Sequence, residues 1–94
     1  MFRLDPAGEG AVRLVGRLDG AEAERAVAAF AGLDGSIVAD CSELDYISSA
    51  GIAVILVTLQ RLTQKGHTLR LHPVQPRVRN VFKYAGLAQM LGIE

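Results

Sequence analysis

Two adjacent serines, Ser48 and Ser49, are the residues of this 94-residue chain best placed to do chemistry. They precede the apolar run Ile52–Val57, so they stand on a loop at the start of a predicted helix. A serine hydroxyl can act as a nucleophile when a base is within reach, or it can accept a phosphoryl group. The types of the neighbouring residues indicate which of three roles fits the serines: catalysis, phosphorylation or a purely structural helix cap.

A serine hydrolase would need this pair to work with a histidine and with an acid such as Asp40. The nucleophile-elbow motif GxSxG is absent, because the segment Tyr46–Gly51 lacks the leading glycine. A chain of this length also leaves little room for a substrate cleft and an oxyanion loop. We therefore expect no catalytic residue. Hydrolase activity stays a third alternative, which an ester-hydrolysis assay on both serine variants would test.

Metal, cofactor and nucleic-acid sites are not indicated either. Cys41, His67 and His72 lack the paired spacing of zinc ligands. Gly8 and Gly10 are followed by no predicted helix, so they form no dinucleotide fingerprint, and no Walker-type phosphate loop is present. The small number of aromatic residues and the zero net charge argue against nucleic-acid binding. We expect no metal, no cofactor and no nucleic-acid partner.

The zero net charge conceals an uneven distribution. Residues 1–47 carry a net charge of −5 and residues 48–94 carry +5. Neither half contains a run of five like charges, so neither is a charged tail. This pattern predicts a folded domain with a polarised surface, which suits a protein partner.

Composition narrows the class of protein further. Half of the residues are hydrophobic and 21% are charged, which argues against disorder. The longest apolar run is Ile52–Val57, far below the ~20 residues that cross a bilayer, and no secretory signal is visible. The single cysteine forms no internal disulfide. We expect one cytoplasmic domain over residues 1–94, without a membrane partner.

The elements that must position the serines follow from hydrophobic periodicity, and their predicted order is β-β-α-β-α-β-α. The segments predicted as strands are Phe2–Asp5, Ala11–Leu18, Ser36–Asp40 and Thr68–His72. The segments predicted as helices are Ala21–Phe30, Ala50–Lys65 and Pro76–Ala85, with a last turn over Leu87–Leu91. Two helical crossovers imply parallel neighbours. The predicted fold is α/β, with a mixed, mostly parallel β-sheet of four to five strands and helices packed against it.

Several local expectations concern the surroundings of the serines. Asp19 is expected to cap the first helix and Ser49 the second. Val27 is expected on the buried face of the first helix. The strand that ends at Asp40 is expected to be covered on both faces, because it is a continuous apolar run. Residues 41–47 would then form a polar loop that leads to the serines.

Three segments of the chain resemble the signature of STAS domains, in particular of bacterial anti-sigma factor antagonists. Ile37–Ile52 is similar to the family's buried strand, polar loop and serine-containing tetrad that ends in glycine. Gly16–Asp19 resembles the turn before its first helix, and Val78–Leu87 resembles its C-terminal helix. Many members carry Asp-Ser-Ser/Thr-Gly in the tetrad. Here Ser48 replaces the acid and Ala50 replaces the second hydroxyl.

The resemblance implies a STAS fold and a regulatory function. In the family, an anti-sigma serine kinase of the GHKL type phosphorylates one serine of the tetrad, and a PP2C-type phosphatase removes the phosphate. The unphosphorylated form binds the kinase and frees the sigma factor. The matching acceptor is Ser49, with Ser48 as a competing acceptor. The implied partner-binding residues are Asp19, Asp40, Asp45, Ser48, Ser49, Ala50, Gly51 and Val54.

The same fold has a second use, and the sequence leaves it open. A STAS domain can be a subunit of an ABC-type transporter that is bound constitutively to the ATPase. A neighbouring kinase or phosphatase gene would favour the antagonist, whereas a neighbouring ATPase and permease would favour the transporter subunit.

Overall fold

The fold consists of one four-stranded sheet and three helices in the predicted order. The structure, a computed structural model, describes residues 1–93. The strands are β1 (Phe2–Pro6), β2 (Ala11–Leu18), β3 (Ile37–Ile47) and β4 (Leu69–Val74). The helices are α1 (Ala23–Ala31), α2 (Ser49–Gln64) and α3 (Pro76–Tyr84).

The strands lie in the sheet in sequence order, β1-β2-β3-β4. β1 and β2 form an antiparallel hairpin, whose turn uses Gly8 and Gly10 at φ values of 120° and 70° that glycine adopts readily. β2 pairs with β3, and β3 with β4, in parallel through crossovers that contain α1 and α2. The predicted mixed sheet is confirmed. The carboxyl ends of β2 and β3 meet at one edge of it.

β3 departs most from the sequence-based expectation. The predicted loop over residues 41–47 is wrong, because the strand continues through Asp40 as far as Ile47. Its polar residues belong to an exposed face: Ala39 and Cys41 are buried, whereas Val38 between β2 and β4 is 44% exposed. The sheet is therefore covered on one face at β3, and the expectation of cover on both faces is wrong.

The core lies between the sheet and the helices. It includes the fully buried side chains Leu14, Leu18, Phe30, Ile55, Leu62 and Phe82. Phe30 of α1 stacks on Phe2 of β1 with ring centroids 6.2 Å apart, which ties the hairpin to the first helix. Val27 does not join this core, contrary to expectation, because its side chain is 55% exposed.

The helix ends differ in detail from the predicted ones. Glu22, not Asp19, is the N-cap residue of α1, and its side chain makes no capping hydrogen bond. α3 begins with Pro76 in its first turn, as predicted. Residues 87–91 form turns rather than the predicted last turn of helix.

Arg61 of α2 fastens α1 to α2. Its guanidinium donates hydrogen bonds to the carbonyl oxygens of Phe30 and Leu33, each at 2.9 Å. Phe30 lies in the last turn of α1 and Leu33 directly follows its C-cap residue, and α1 carries no basic residue in its own last turn, so the cation also complements the helix dipole.

The Arg61→Met variant tests this link. Methionine keeps an apolar stem but removes both hydrogen bonds of the charged guanidinium, so we expect the free energy of unfolding to fall by about 2 kcal/mol. Urea denaturation measures the change. Arg77→Met is the control at an exposed arginine of α3, and it should change stability by less than about 0.5 kcal/mol. Equal losses in the two variants would contradict the role of Arg61.

Candidate functional site

The serine pair lies where the carboxyl ends of β2 and β3 meet the start of α2. Leu18 and Ile47 are the last paired residues of the two strands. The backbone N–H of Ser48 donates to the carbonyl oxygen of Leu18 at 3.0 Å. Asp19 and Ser48 therefore leave the sheet side by side. In open α/β sheets this edge is where ligands and partners usually bind.

The two serine hydroxyls have different surroundings. Ser48 is half-buried and is the N-cap residue of α2, where its Oγ accepts a hydrogen bond from the N–H of Gly51 at 3.4 Å. Ser49 is the first residue of the helix and is exposed. The expectation that Ser49 is the cap is therefore wrong. Within residues 1–93 the hydroxyl of Ser49 makes no hydrogen bond, so it is the free hydroxyl of the pair.

Gly51 allows α2 to begin in direct contact with the sheet. A Cβ atom at this position would lie 2.5 Å from the carbonyl oxygen of Leu18 and 2.8 Å from Cγ1 of Ile47. Val54, one turn further along, is buried, and Ala50 is half-buried. Gly51 and Val54 therefore lie on the buried side of α2, while Ser49 is exposed to solvent.

The start of α2 is electrostatically suited to an anion. The helix has 16 residues and carries no acidic residue in its first turn. Its N-terminus holds a partial positive charge from the aligned peptide dipoles. In the described part of the chain, the N–H groups of Ser49 and Ala50 have no acceptor. A negative group attached at Ser49 would therefore lie close to donors and to the positive end of the helix.

Asp19 forms the neighbouring part of this edge. Its Oδ2 lies 3.9 Å from Nε of Arg17, while Oδ1 is buried without a hydrogen-bond partner among residues 1–93. The Arg17 guanidinium also lies over the ring of Tyr46, 4.3 Å from its centroid. The carboxylate of Asp19 thus lies at the end of β2 beside a guanidinium that also contacts β3.

Asp45 belongs to the same end of β3 and connects it to α3. Its Oδ1 accepts a hydrogen bond from Nε2 of Gln75 at 3.1 Å, and the same nitrogen donates to the carbonyl oxygen of Ser42 at 2.7 Å. Gln75 is the N-cap residue of α3. The sequence analysis did not single out Gln75, although Pro76 as the first helical residue marks the position before it as the N-cap.

Asp40 is not brought to the serines. It precedes Ser48 by eight residues of mostly extended chain, which separates the two by roughly 20 Å. Its Oδ1 accepts hydrogen bonds from Oγ and N of Ser42 at 2.6 and 2.8 Å, and its Oδ2 lies 3.6 Å from Nε of Arg13. The Ser42 hydroxyl is the main cause of the lowered pKa of Asp40, partly opposed by desolvation. Asp40 stabilises the open face of the sheet.

The remaining chemically active groups of the described residues form no second site. Cys41 is buried, and desolvation raises the pKa of its thiol to about 12, so the reactive thiolate is not formed at neutral pH. Residues 1–93 contain no cluster of three His, Cys, Asp or Glu side chains that could hold a metal ion. Over the same residues, every helix is too short or too polar to cross a membrane.

Comparisons with known sequences identify proteins that are similar to this chain. The family described as Mlab, STAS domain matches residues 2–92. A protein of Bordetella bronchiseptica named as a putative anti-sigma factor antagonist, BtrV, is 39% identical over 57 residues. That match covers 61% of this chain and 49% of the relative, so the chain spans about half the length of the curated relative.

Two solved structures share the fold. The anti-sigma factor antagonist SpoIIAA in its unphosphorylated form gives a TM-score of 0.67 at 22% identity, covering 89% of this chain and 83% of SpoIIAA. The Bacillus cell fate determinant SpoIIAA in its phosphorylated form gives 0.66 at 24% identity, covering 96% and 87%. With the family match over residues 2–92, these findings confirm the resemblance seen in the sequence: the chain belongs to the STAS domain family.

Proposed function

We propose that this STAS domain is an anti-sigma factor antagonist whose binding to an anti-sigma serine kinase is switched by phosphorylation of Ser49. The single observation that carries the proposal is the difference between the two hydroxyls. Ser48 is engaged in the helix cap, whereas Ser49 is exposed and free at the edge where β2, β3 and α2 meet. The name of the Bordetella relative and the likeness to SpoIIAA support the same function.

For phosphorylation and dephosphorylation, this chain has to supply only the hydroxyl group that accepts the phosphoryl group. A kinase transfers the γ-phosphoryl group of ATP to Oγ of Ser49, the hydroxyl proton passes to a base on the kinase, and ADP leaves. A PP2C-type phosphatase restores the hydroxyl by hydrolysis of the ester and releases inorganic phosphate. The domain is therefore the substrate of both enzymes and needs no catalytic residue of its own.

The fold tolerates such a phosphate. The group adds about −1.5 to −2 charges at pH 7. It would lie at the N-terminus of α2, which has no acidic residue in its first turn and has two N–H groups without acceptors among the described residues. SpoIIAA shares this fold in both its phosphorylated and its unphosphorylated form, which supports a domain that keeps its fold in both states. The signal is therefore a change of surface charge.

The partner detects this charge because the edge is a contact surface. Asp19 and Asp45 lie towards the same carboxyl end of the sheet as Ser49, so this edge already carries acidic groups before phosphorylation. A phosphate in the docked interface adds negative charge and loses water on the side that faces the kinase, where a surface shaped for the serine hydroxyl offers no donors to replace that water, and this costs several kcal/mol. Phosphorylation would release the kinase, which is then free to capture its sigma factor.

Intact-mass measurement tests the proposal. The purified protein is incubated with ATP and each GHKL-type anti-sigma kinase of its own organism, and one kinase is expected to add a single phosphoryl group, about 80 Da. Ser49→Ala should abolish the addition, and Ser48→Ala should retain it. Addition that survives Ser49→Ala but not Ser48→Ala would move the acceptor to Ser48. No addition with any kinase, together with copurification of a transporter ATPase, would favour the transporter subunit.

A further inference from the structure

A groove between α1 and α2 has no role in accepting the phosphate, and part of its apolar lining remains exposed. Its volume is about 390 Å³. Its lining includes the small and aliphatic residues Val27, Ala31, Ala53, Val54, Val57 and Thr58. Val27 on α1 and Val57 on α2 are 55% and 64% exposed, so both walls present valine side chains to solvent. Exposed apolar surface gathered in a concavity is typical of a protein contact site.

The polar groups of this groove are already engaged. The hydroxyl of Thr58 donates to the carbonyl oxygen of Val54 at 3.0 Å. The guanidinium of Arg61, which also lines the groove, donates to the carbonyl oxygens of Phe30 and Leu33. Any occupant therefore finds mostly apolar surface, together with polar groups that already have partners in the domain, and this favours aliphatic side chains.

The groove is continuous with the serine edge. Ala53 and Val57 follow Ser49 by four and eight residues, so the three share one stripe of α2. At 1.5 Å per residue, Val57 lies only about 12 Å along the helix from the acceptor serine. A protein that binds over Ser49 can therefore contact the groove as well, because both lie on the same face of the domain.

The size of the groove also indicates its occupant. A cavity of this volume holds a few aliphatic side chains. A stable interface buries about 800 Å² on each partner, more than such a groove offers by itself. The groove is therefore suited to be one part of a larger interface that includes the serine edge.

We infer that the α1–α2 groove is the apolar part of the kinase interface and receives aliphatic side chains from a helix of the anti-sigma kinase. This inference rests on the proposed function, since it assigns a second contact region to the same partner. The groove lies between two helices, and an amphipathic third helix fits such a groove through anchors at i, i+3 or i+4 and i+7. The serine edge then supplies the charge-sensitive contact and the groove supplies apolar burial.

Isothermal titration of the kinase identified by the phosphorylation assay tests the inference. Val57→Glu and Val57→Lys should each weaken binding by about 10-fold or more, because both place a charge in the desolvated groove regardless of its sign. Val38→Glu is the matched control, an exposed valine on the open face of the sheet, and it should bind as the wild type does. Circular dichroism should give the native spectrum for all three variants.

The outcomes separate this inference from the function on which it rests. Wild-type affinity in both Val57 variants, with binding still lost in Ser49→Asp, would overturn the groove and leave the switch intact. Wild-type affinity in Ser49→Asp as well would overturn the switch itself. A wild-type dimer in sedimentation equilibrium that Val57→Glu converts to a monomer would assign the groove to a second copy of the chain and overturn the inference.

Discussion

The Ser49→Asp variant is expected to bind the anti-sigma kinase about 100-fold more weakly than the wild type, a loss of about 3 kcal/mol. Ser49 is exposed at the first position of α2, so the new carboxylate reaches the docked surface without disturbing the core. In the complex it would lose its hydration at the edge where α2 starts against the end of β2. Isothermal titration with the same kinase measures the loss.

The free energy of unfolding of this variant should rise slightly or stay unchanged. An acidic side chain in the first turn of α2 interacts favourably with the helix dipole, by about 0.3–1 kcal/mol. Ser49→Asn is the matched control, because it has nearly the same shape as aspartate without the charge, and its affinity should stay within a few-fold of the wild type. Equal affinities for Ser49→Asp and the wild type would contradict a switch read through surface charge.

The Gly51→Ala variant should lose about 2 kcal/mol or more of unfolding free energy. Helix propensity alone predicts the opposite sign, since alanine is favoured over glycine by about 1 kcal/mol inside a helix. At Gly51 the steric clash of a methyl group with the end of β2 is expected to outweigh the gain in helix propensity. The added Cβ would lie 2.5 Å from the carbonyl oxygen of Leu18, so either α2 or the end of β2 has to shift.

Urea denaturation of Gly51→Ala and Gly20→Ala gives the comparison. A methyl group added at Gly20 would meet no atom within 4 Å, and Gly20 has no positive φ, so Gly20→Ala should change stability by less than about 0.5 kcal/mol. A shifted helix start in Gly51→Ala would also displace Ser49 and slow its phosphorylation. A Gly51→Ala variant as stable as the wild type would show that α2 does not need its close contact with Leu18.

Periodic segments of the sequence predicted the architecture well. α2 was recognised as a helix despite its β-branched residues, because its apolar positions keep helical spacing and Gly66 follows its last turn at φ 81°. The hairpin and the parallel order followed from alternating segments and from two helical crossovers. These features depend on local pattern, which a single sequence carries.

Features that depend on tertiary pairing were not predicted. The second half of β3 contains polar residues because their side chains are exposed, while Leu44 and Ile47 are buried, and the pairing of this segment with β2 makes it a strand. Ser48 rather than Ser49 caps α2, since the bond from the N–H of Ser48 to Leu18 fixes where the helix starts. Ser49 is proposed as the acceptor because of its place in the tetrad, whereas its freedom from the helix cap could be seen only in the structure.

The Arg61 link has a consequence for the rates of binding. By holding the end of α1 against α2, its two hydrogen bonds keep the walls of the groove at a fixed spacing before any partner arrives. A pre-shaped surface needs little reordering on contact, so association would proceed at a rate set by diffusion and orientation. The difference in affinity between the unphosphorylated and the phosphorylated domain would then lie mainly in the dissociation rate of the complex.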